Sequence, residues 1–161
     1  MTGVDIESLP YRPCVGVMVL NPDGLVLTGQ RIDTPGDAWQ MPQGGVDKGE
    51  DPHAAALREL WEETGLTEDK VAFIRATDDW VTYDLPADLA GKLWKGRYRG
   101  QKQLWFAFRL TGTDADVNIN TPHPEFSAWR WATPTQVVAD IVPFKRDLYA
   151  DVMGRFADLF D

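Results

Sequence analysis

Cysteine is almost absent from this chain. Cys14 is its one thiol, so an internal disulfide and a disulfide-stapled fold are both excluded. Histidine is scarce as well. His53 and His123 stand far apart, neither has a second His or Cys at ligand spacing, and no zinc pattern exists. No apolar run approaches the roughly 18 residues of a membrane-spanning helix, and no basic-then-apolar segment stands near Met1. The expectation is an untargeted, soluble, cytoplasmic chain with no membrane partner. Positive charge is in deficit: 16 Lys and Arg face 25 Asp and Glu, for a net charge of −9. That balance argues against broad nucleic-acid affinity, and no DNA partner is expected, although a local basic site remains compatible with it.

What is present suffices for a core. At 161 residues the chain reads as one domain, 1–161, with ordinary apolar and charged fractions. Residues 1–9 read as a loose polar tail. Cys14 to Leu20 is a continuous apolar run, suited to a strand buried on both faces. Cys14 is then a small core residue before it is a nucleophile. Asn21-Pro22-Asp23-Gly24 has turn chemistry at each place, and Leu25 to Thr28 is its return strand. Thr34-Pro35-Gly36-Asp37 is a loop, and Pro42 marks an edge or bulge. Strands are expected over 71–76, 80–83, 103–110 and 128–131, with short helical segments over 87–94 and 134–140. Leu148, Val152, Phe156 and Leu159 form the core stripe of a C-terminal helix.

The most informative stretch is 44–66. Asp51 is placed to cap a helix, Pro52 suits its first position, and Gly65 suits its left-handed stop. Leu57, Leu60, Trp61 and Thr64 follow the spacing of a buried face. Glu59, Glu62 and Glu63 then share the opposite face, where like charges repel unless a cation sits among them. That face is either solvated or a hard oxygen site for Mg²⁺ or Mn²⁺. A second cluster, Lys92, Lys95, Arg97, Arg99 and Lys102, contains no acid. It reads as a solubilising loop or, beside a metal site, as a phosphate-facing one.

The positions Gly44, Glu50, Arg58, Glu59, Leu60, Glu62, Glu63, Gly65 and Leu66 together resemble the signature of the Nudix hydrolases. Tyr11-Arg12-Pro13, Trp39 to Gly45, Gly100 to Gln103, Pro124-Glu125-Phe126, Trp129-Arg130-Trp131 and Phe144-Lys145-Arg146 extend the resemblance to one branch. That branch contains bacterial RNA pyrophosphohydrolases and dinucleoside polyphosphate hydrolases. The resemblance implies an α/β (α+β) fold, a mixed sheet sandwiched between helices, with 44–66 as loop, helix and loop. It implies Mg²⁺, or Mn²⁺ or another divalent ion, held by Glu59, Glu62, Glu63, Glu125 and the Gly44 carbonyl. Arg58 would orient these carboxylates, and Glu50 would brace the loop. Arg12, Arg31, Tyr83 and Lys102 stand where the branch contacts phosphates or a nucleotide, and Phe144 and Lys145 where it holds the first bases. Cys14 departs from an asparagine common in relatives, and Asp37-Ala38 departs from the loop of several.

The activity so implied is removal of pyrophosphate from 5′-triphosphorylated RNA, by one step or through a diphosphorylated end, to initiate RNA decay. The alternative is asymmetric hydrolysis of dinucleoside polyphosphates. A nucleotide-sensing domain without catalysis is a third reading, disfavoured because no acid of the signature is missing. Water is the expected nucleophile, since no Ser, Cys or His constellation for a covalent intermediate is visible.

Overall fold

A computed structural model describes residues 8–32, 38–90 and 92–160. Most of the expected tail and the loop 34–37 lie outside them. Strand β1 (Tyr11–Leu20) is the spine of the fold. It runs parallel to β7 (Gly100–Leu110), in register from Tyr11 opposite Gly100 to Leu20 opposite Arg109. Its other edge is shared. The Asn21–Gly24 turn folds β2 (Val26–Arg31) back at one end, and β4 (Gln43–Gly45) pairs antiparallel at the other. Asn21 Oδ1 accepts from the N–H groups of Asp23 and Leu25, and Gly24 takes the left-handed φ of 75° that closes this turn.

Beyond β2 lie β3 (Trp39–Gln40) and β8 (Phe126–Ala132), while β5 (Val71–Ala76) and β6 (Val81–Asp84) pair antiparallel with β7. The sheet is therefore mixed. Pro42, which cannot donate to a ladder, falls between β3 and β4, where the chain passes from β2 to β1.

The uninterrupted apolar run of β1 follows from burial on both faces. Val15, Val17 and Val19 pack with Ala55, Ala56 and Leu60 of helix α1 (Pro52–Thr64). Met18 and Leu20 pack with Val137 of α3 (Pro134–Asp140), with Leu148, Tyr149 and Val152 of α4 (Arg146–Arg155), and with Phe156 just past its end. A short α2 (Ala87–Ala90) follows β6. The mixed sheet between helices is the expected architecture. No helix among the described residues is long and apolar enough to cross a membrane.

Helix α1 corrects one expectation. Its ends are as read: Asp51 accepts from the Ala54 N–H, and Gly65 stops the helix at φ 74°. Its buried residues, however, are Ala55, Ala56, Glu59, Leu60, Glu63 and Thr64, and Trp61 is 45% exposed. The rotation places two of the three acids inward. Small alanines let the helix approach the sheet, and Gly44 leaves room for the Glu59 carboxyl: a Cβ there would meet its Cδ at 2.1 Å.

The strand expected over 103–110 begins earlier, at Gly100, so Lys102 belongs to β7 and not to a loop. Gly16, opposite Trp105, lets the buried indole lie flat across β1. A Cβ at Gly16 would sit 2.3 Å from the Trp105 ring. Gly16→Ala is therefore expected to lower stability by about 1–3 kcal/mol, the usual cost of overpacking a dense core, read as a reduced urea midpoint with unchanged m.

Candidate active site

Arg58 organises the turn before and the carboxylates along α1. Its Nε and Nη2 each donate at 2.9 Å to Glu50. Nη2 also reaches the Gly45 carbonyl at 2.8 Å, and Nη1 donates to Glu59 Oε1 at 2.8 Å and to Glu62 Oε2 at 3.3 Å. A planar guanidinium can serve a glycine turn and three carboxylates at once, where an ammonium cannot. Glu50 also accepts from the Asp47 N–H at 3.0 Å, and these contacts hold its carboxyl down at about 2. Its expected bracing role is what the geometry displays.

Burial sets the other acids apart. Glu59 is pushed up to about 7 by desolvation, with the Glu62 and Glu125 charges adding and Arg58 opposing. Glu63 is fully buried and its carboxyl is raised well above the usual range, first by desolvation and then by the neighbouring Glu125 carboxyl. Glu63 Oε2 accepts from the Gln43 N–H at 2.9 Å, while Oε1 is buried with no hydrogen-bond partner. Glu125 arrives from the far end of the sheet through backbone pairing. Phe126 sits opposite Arg31 in the β2–β8 ladder, and the Ile32 N–H donates to the Glu125 carbonyl at 2.9 Å.

A cleft of about 530 Å³ opens over these residues. Glu59, Glu125, Gly44, Arg12, Arg31, Tyr83, Phe144 and Lys145 all line it. Arg12 lies against Gly45, where a Cβ would be 2.6 Å from its Nη2, and its Nη1 approaches Cys14 Sγ at 3.6 Å. Lys145 is held in the 3₁₀ turn that leads into α4. Its Nζ stands 5.4 Å from the Tyr83 ring and 6.0 Å from the Phe144 ring, and the two rings are 6.0 Å apart. Burial, with the Arg31 charge beside it, lowers Lys145 to about 8.

Four expected residues stand off the lining. Glu63 lies behind it, Arg58 braces it from the helix, and Glu62 is partly exposed at the edge. Lys102 is brought elsewhere: its Nζ sits 4.8 Å from the Trp80 ring. None of the basic side chains of 92–102 lines the cleft, and Arg99 instead clamps Asp84 at 3.0 and 2.9 Å. Sequence reasoning missed Gln40, Gln43 and Gln101, all buried and all on the lining. A signal was present in β7, where Gln101 and Gln103 share a face at period two with the buried Trp105.

Among the described residues no three acidic, His or Cys side chains close into a ready coordination shell. The Glu59 carboxyl lies instead against Gly44, and Glu63 and Glu125 face each other as a pair of acids. Their donor chemistry fits a hard divalent cation. Oxygen donors crowd together, one buried carboxylate oxygen lacks a partner, and the glycine backbone lies beside them. Nucleophile chemistry fits poorly. Burial pushes the Cys14 thiol up to about 11, His53 packs against Phe73, Phe106 and Phe108, and His123 is exposed.

A family model described as the NUDIX domain matches residues 10–152. The chain is 60% identical over 156 residues to the RNA pyrophosphohydrolase of Roseobacter denitrificans, covering 97% of this chain and 98% of that protein. It is 57% identical over 153 residues to the RNA pyrophosphohydrolase of Cereibacter sphaeroides, covering 95% and 94%. Among solved structures it resembles a C. elegans Ap4A hydrolase binary complex, with a TM-score of 0.67 at 19% identity over 92% of this chain and 99% of that one. It also resembles the E. coli dihydroneopterin triphosphate pyrophosphohydrolase, with a TM-score of 0.69 at 23% identity over 88% and 96%. At those identities the structural likeness is one of fold.

Two predictions test the Arg58 hub. Arg58→Lys cannot restore the fork and is expected to cost about 2–4 kcal/mol, the scale of breaking a partly buried charged network, measured by urea unfolding. Glu50 has a folded value of about 2 against an ordinary 4.5. Its contribution is therefore complete above about pH 4.5 and lost as pH falls toward 2. Glu50→Gln is expected to flatten the stability-against-pH curve across that window and to lower stability above it.

Proposed function

The chain belongs to the Nudix family, and we propose that it is a metal-dependent RNA 5′-pyrophosphohydrolase. It hydrolyses a phosphoric anhydride bond of 5′-triphosphorylated RNA, leaving a 5′-monophosphate end and pyrophosphate. A diphosphorylated end is a second substrate of the same site. Release of the monophosphate end would commit the RNA to decay in the cytoplasm. The observation that carries this reading is the content of one cleft: carboxylates and a glycine turn, three cationic side chains, and a pair of aromatic rings. Phosphates and bases need those groups together, and relatives at 57–60% identity bear the corresponding name.

Glu59, Glu62, Glu63, Glu125 and the Gly44 carbonyl would hold Mg²⁺ or Mn²⁺. When bound, such an ion offsets phosphate charge and makes water more acidic. Arg58 keeps Glu59 and Glu62 aimed while the substrate enters. One glutamate of the cluster takes the proton of the attacking water, as crowded, buried carboxylates are suited to do. Arg12 and Arg31 oppose the charge that grows on the phosphoryl oxygens. Tyr83 and Phe144 offer faces on which any base can stack, with Lys145 between them and the phosphates. Lys102, facing Trp80, is left outside this assignment. With the Cys14 thiol protonated and buried, water attacks directly.

The test is competition between 5′-triphosphorylated RNA and diadenosine tetraphosphate in Mg²⁺, with Glu62→Gln in parallel. RNA is expected to give the higher kcat/KM, and the variant to lose about two orders of magnitude or more. Preference for the dinucleotide would move the assignment to nucleotide clearance. Turnover of neither substrate would contradict it.

A further inference from the structure

A buried hydrogen-bond relay runs beneath the cleft floor along β7. The Trp105 Nε1–H donates to Gln103 Oε1 at 2.7 Å, and Gln103 Nε2 donates to Gln101 Oε1 at 2.7 Å. Gln103 and Trp105 are fully buried, and Gln101 is 5% exposed and lines the cleft. An amide can ordinarily turn end for end, exchanging donor and acceptor. Here it cannot do so freely. An indole N–H only donates, so it takes the Gln103 oxygen and leaves the Gln103 amino group as donor. That donor fixes the Gln101 oxygen in turn. Reversing either amide would bury opposed donors or opposed acceptors.

The fold aims the end of this relay. Gln101 is the Cα partner of Arg12 on one side and of Tyr83 on the other. Arg12, Gln101 and Tyr83 therefore form a row across three strands, side by side under the cleft. Gln103 lies one row deeper, opposite Cys14 and Val81, and the Trp105 indole lies over Gly16 in the row below. With its oxygen held toward Gln103, Gln101 leaves its amino group as the end to offer between the guanidinium and the phenol.

We infer that Trp105 and Gln103 are positioning residues that lock Gln101 as a permanent hydrogen-bond donor, so that the cleft selects a nucleotide presenting an acceptor atom at the Arg12–Tyr83 row. This rests on the proposed reading of the cleft. It assigns Gln101 a substrate contact in binding, and Gln103 and Trp105 an effect exerted only through it. The specificity is strong because a lost partner would leave the Gln101 amino group buried and unpaired.

The test is a double-mutant cycle on KM and kcat with 5′-triphosphorylated RNA. Gln101→Leu is expected to raise KM about tenfold, with kcat changed much less. Gln103→Leu, which frees the Gln101 amide to turn, is expected to raise KM several-fold. The pair Gln101→Leu/Gln103→Leu is expected to match Gln101→Leu alone, since Gln103 then has nothing to position. Multiplying effects, or a wild-type KM in Gln103→Leu, would overturn the inference. Trp105→Phe removes the indole donor together with part of the ring volume, and should reproduce the Gln103→Leu effect on KM if that variant folds poorly. Amide hydrogen exchange reads the relay without turnover. The Trp105 indole proton is expected to exchange slowly in the wild type and faster in Gln103→Leu, and equal rates would overturn the relay. No turnover of RNA by wild-type protein, with the exchange result as expected, would instead overturn the substrate reading and retain the fixed donor.

Discussion

The site depends on keeping carboxylates out of water. Glu59 and Glu63 face inward from α1, a costly placement for ionisable groups. Glu50 accepts two bonds from Arg58, whose remaining donors reach Gly45, Glu59 and Glu62. The guanidinium offsets part of the cost and ties the glycine turn to the helix in one geometry. The remainder is left in the raised Glu59 and Glu63 carboxyls. Such acids sit poised for a cation, and burial strengthens the electrostatics of whatever enters.

The rest of the fold follows from that arrangement. Ala55 and Ala56 allow α1 to approach β1, and Gly44 allows Glu59 to approach the backbone. The β2–β8 ladder, ending at Arg31 opposite Phe126, brings Glu125 from the distant loop. The 3₁₀ turn ahead of α4 carries Phe144 and Lys145 over Tyr83. Elements far apart in sequence thus deliver acids, cations and aromatic faces to one cleft.

Much of this was legible in the chain. The caps at Asp51 and Gly65, the Asn21–Gly24 turn, the doubly buried β1 and the strand at Val71–Ala76 follow from local chemistry, which is the same in a peptide and in the fold. That Arg58 stands beside Glu59 and Glu62 was readable from their spacing on one helix. The rotation of α1 was not. Periodicity ranks Trp61 as core because it is apolar, whereas Gly44 leaves room for Glu59 and the helix turns Glu63 inward in its place. Lys102 read as part of a basic loop, but strand pairing starts at Gly100 and fixes its side chain over Trp80. Gln101 was visible in the sequence but given no role, because an amide's orientation is a property of a network.

The central claim is that the buried acids of α1, with Glu125 and the Gly44 carbonyl, form a place built for a divalent cation. Anomalous diffraction from crystals grown with Mn²⁺ tests it most directly. The account predicts a peak bounded by the carboxylates of Glu59, Glu62, Glu63 and Glu125 and the Gly44 carbonyl, with Glu63 Oε1 turned toward the ion. Occupied manganese elsewhere, with Glu63 Oε1 still without a partner and the peak absent, would contradict it.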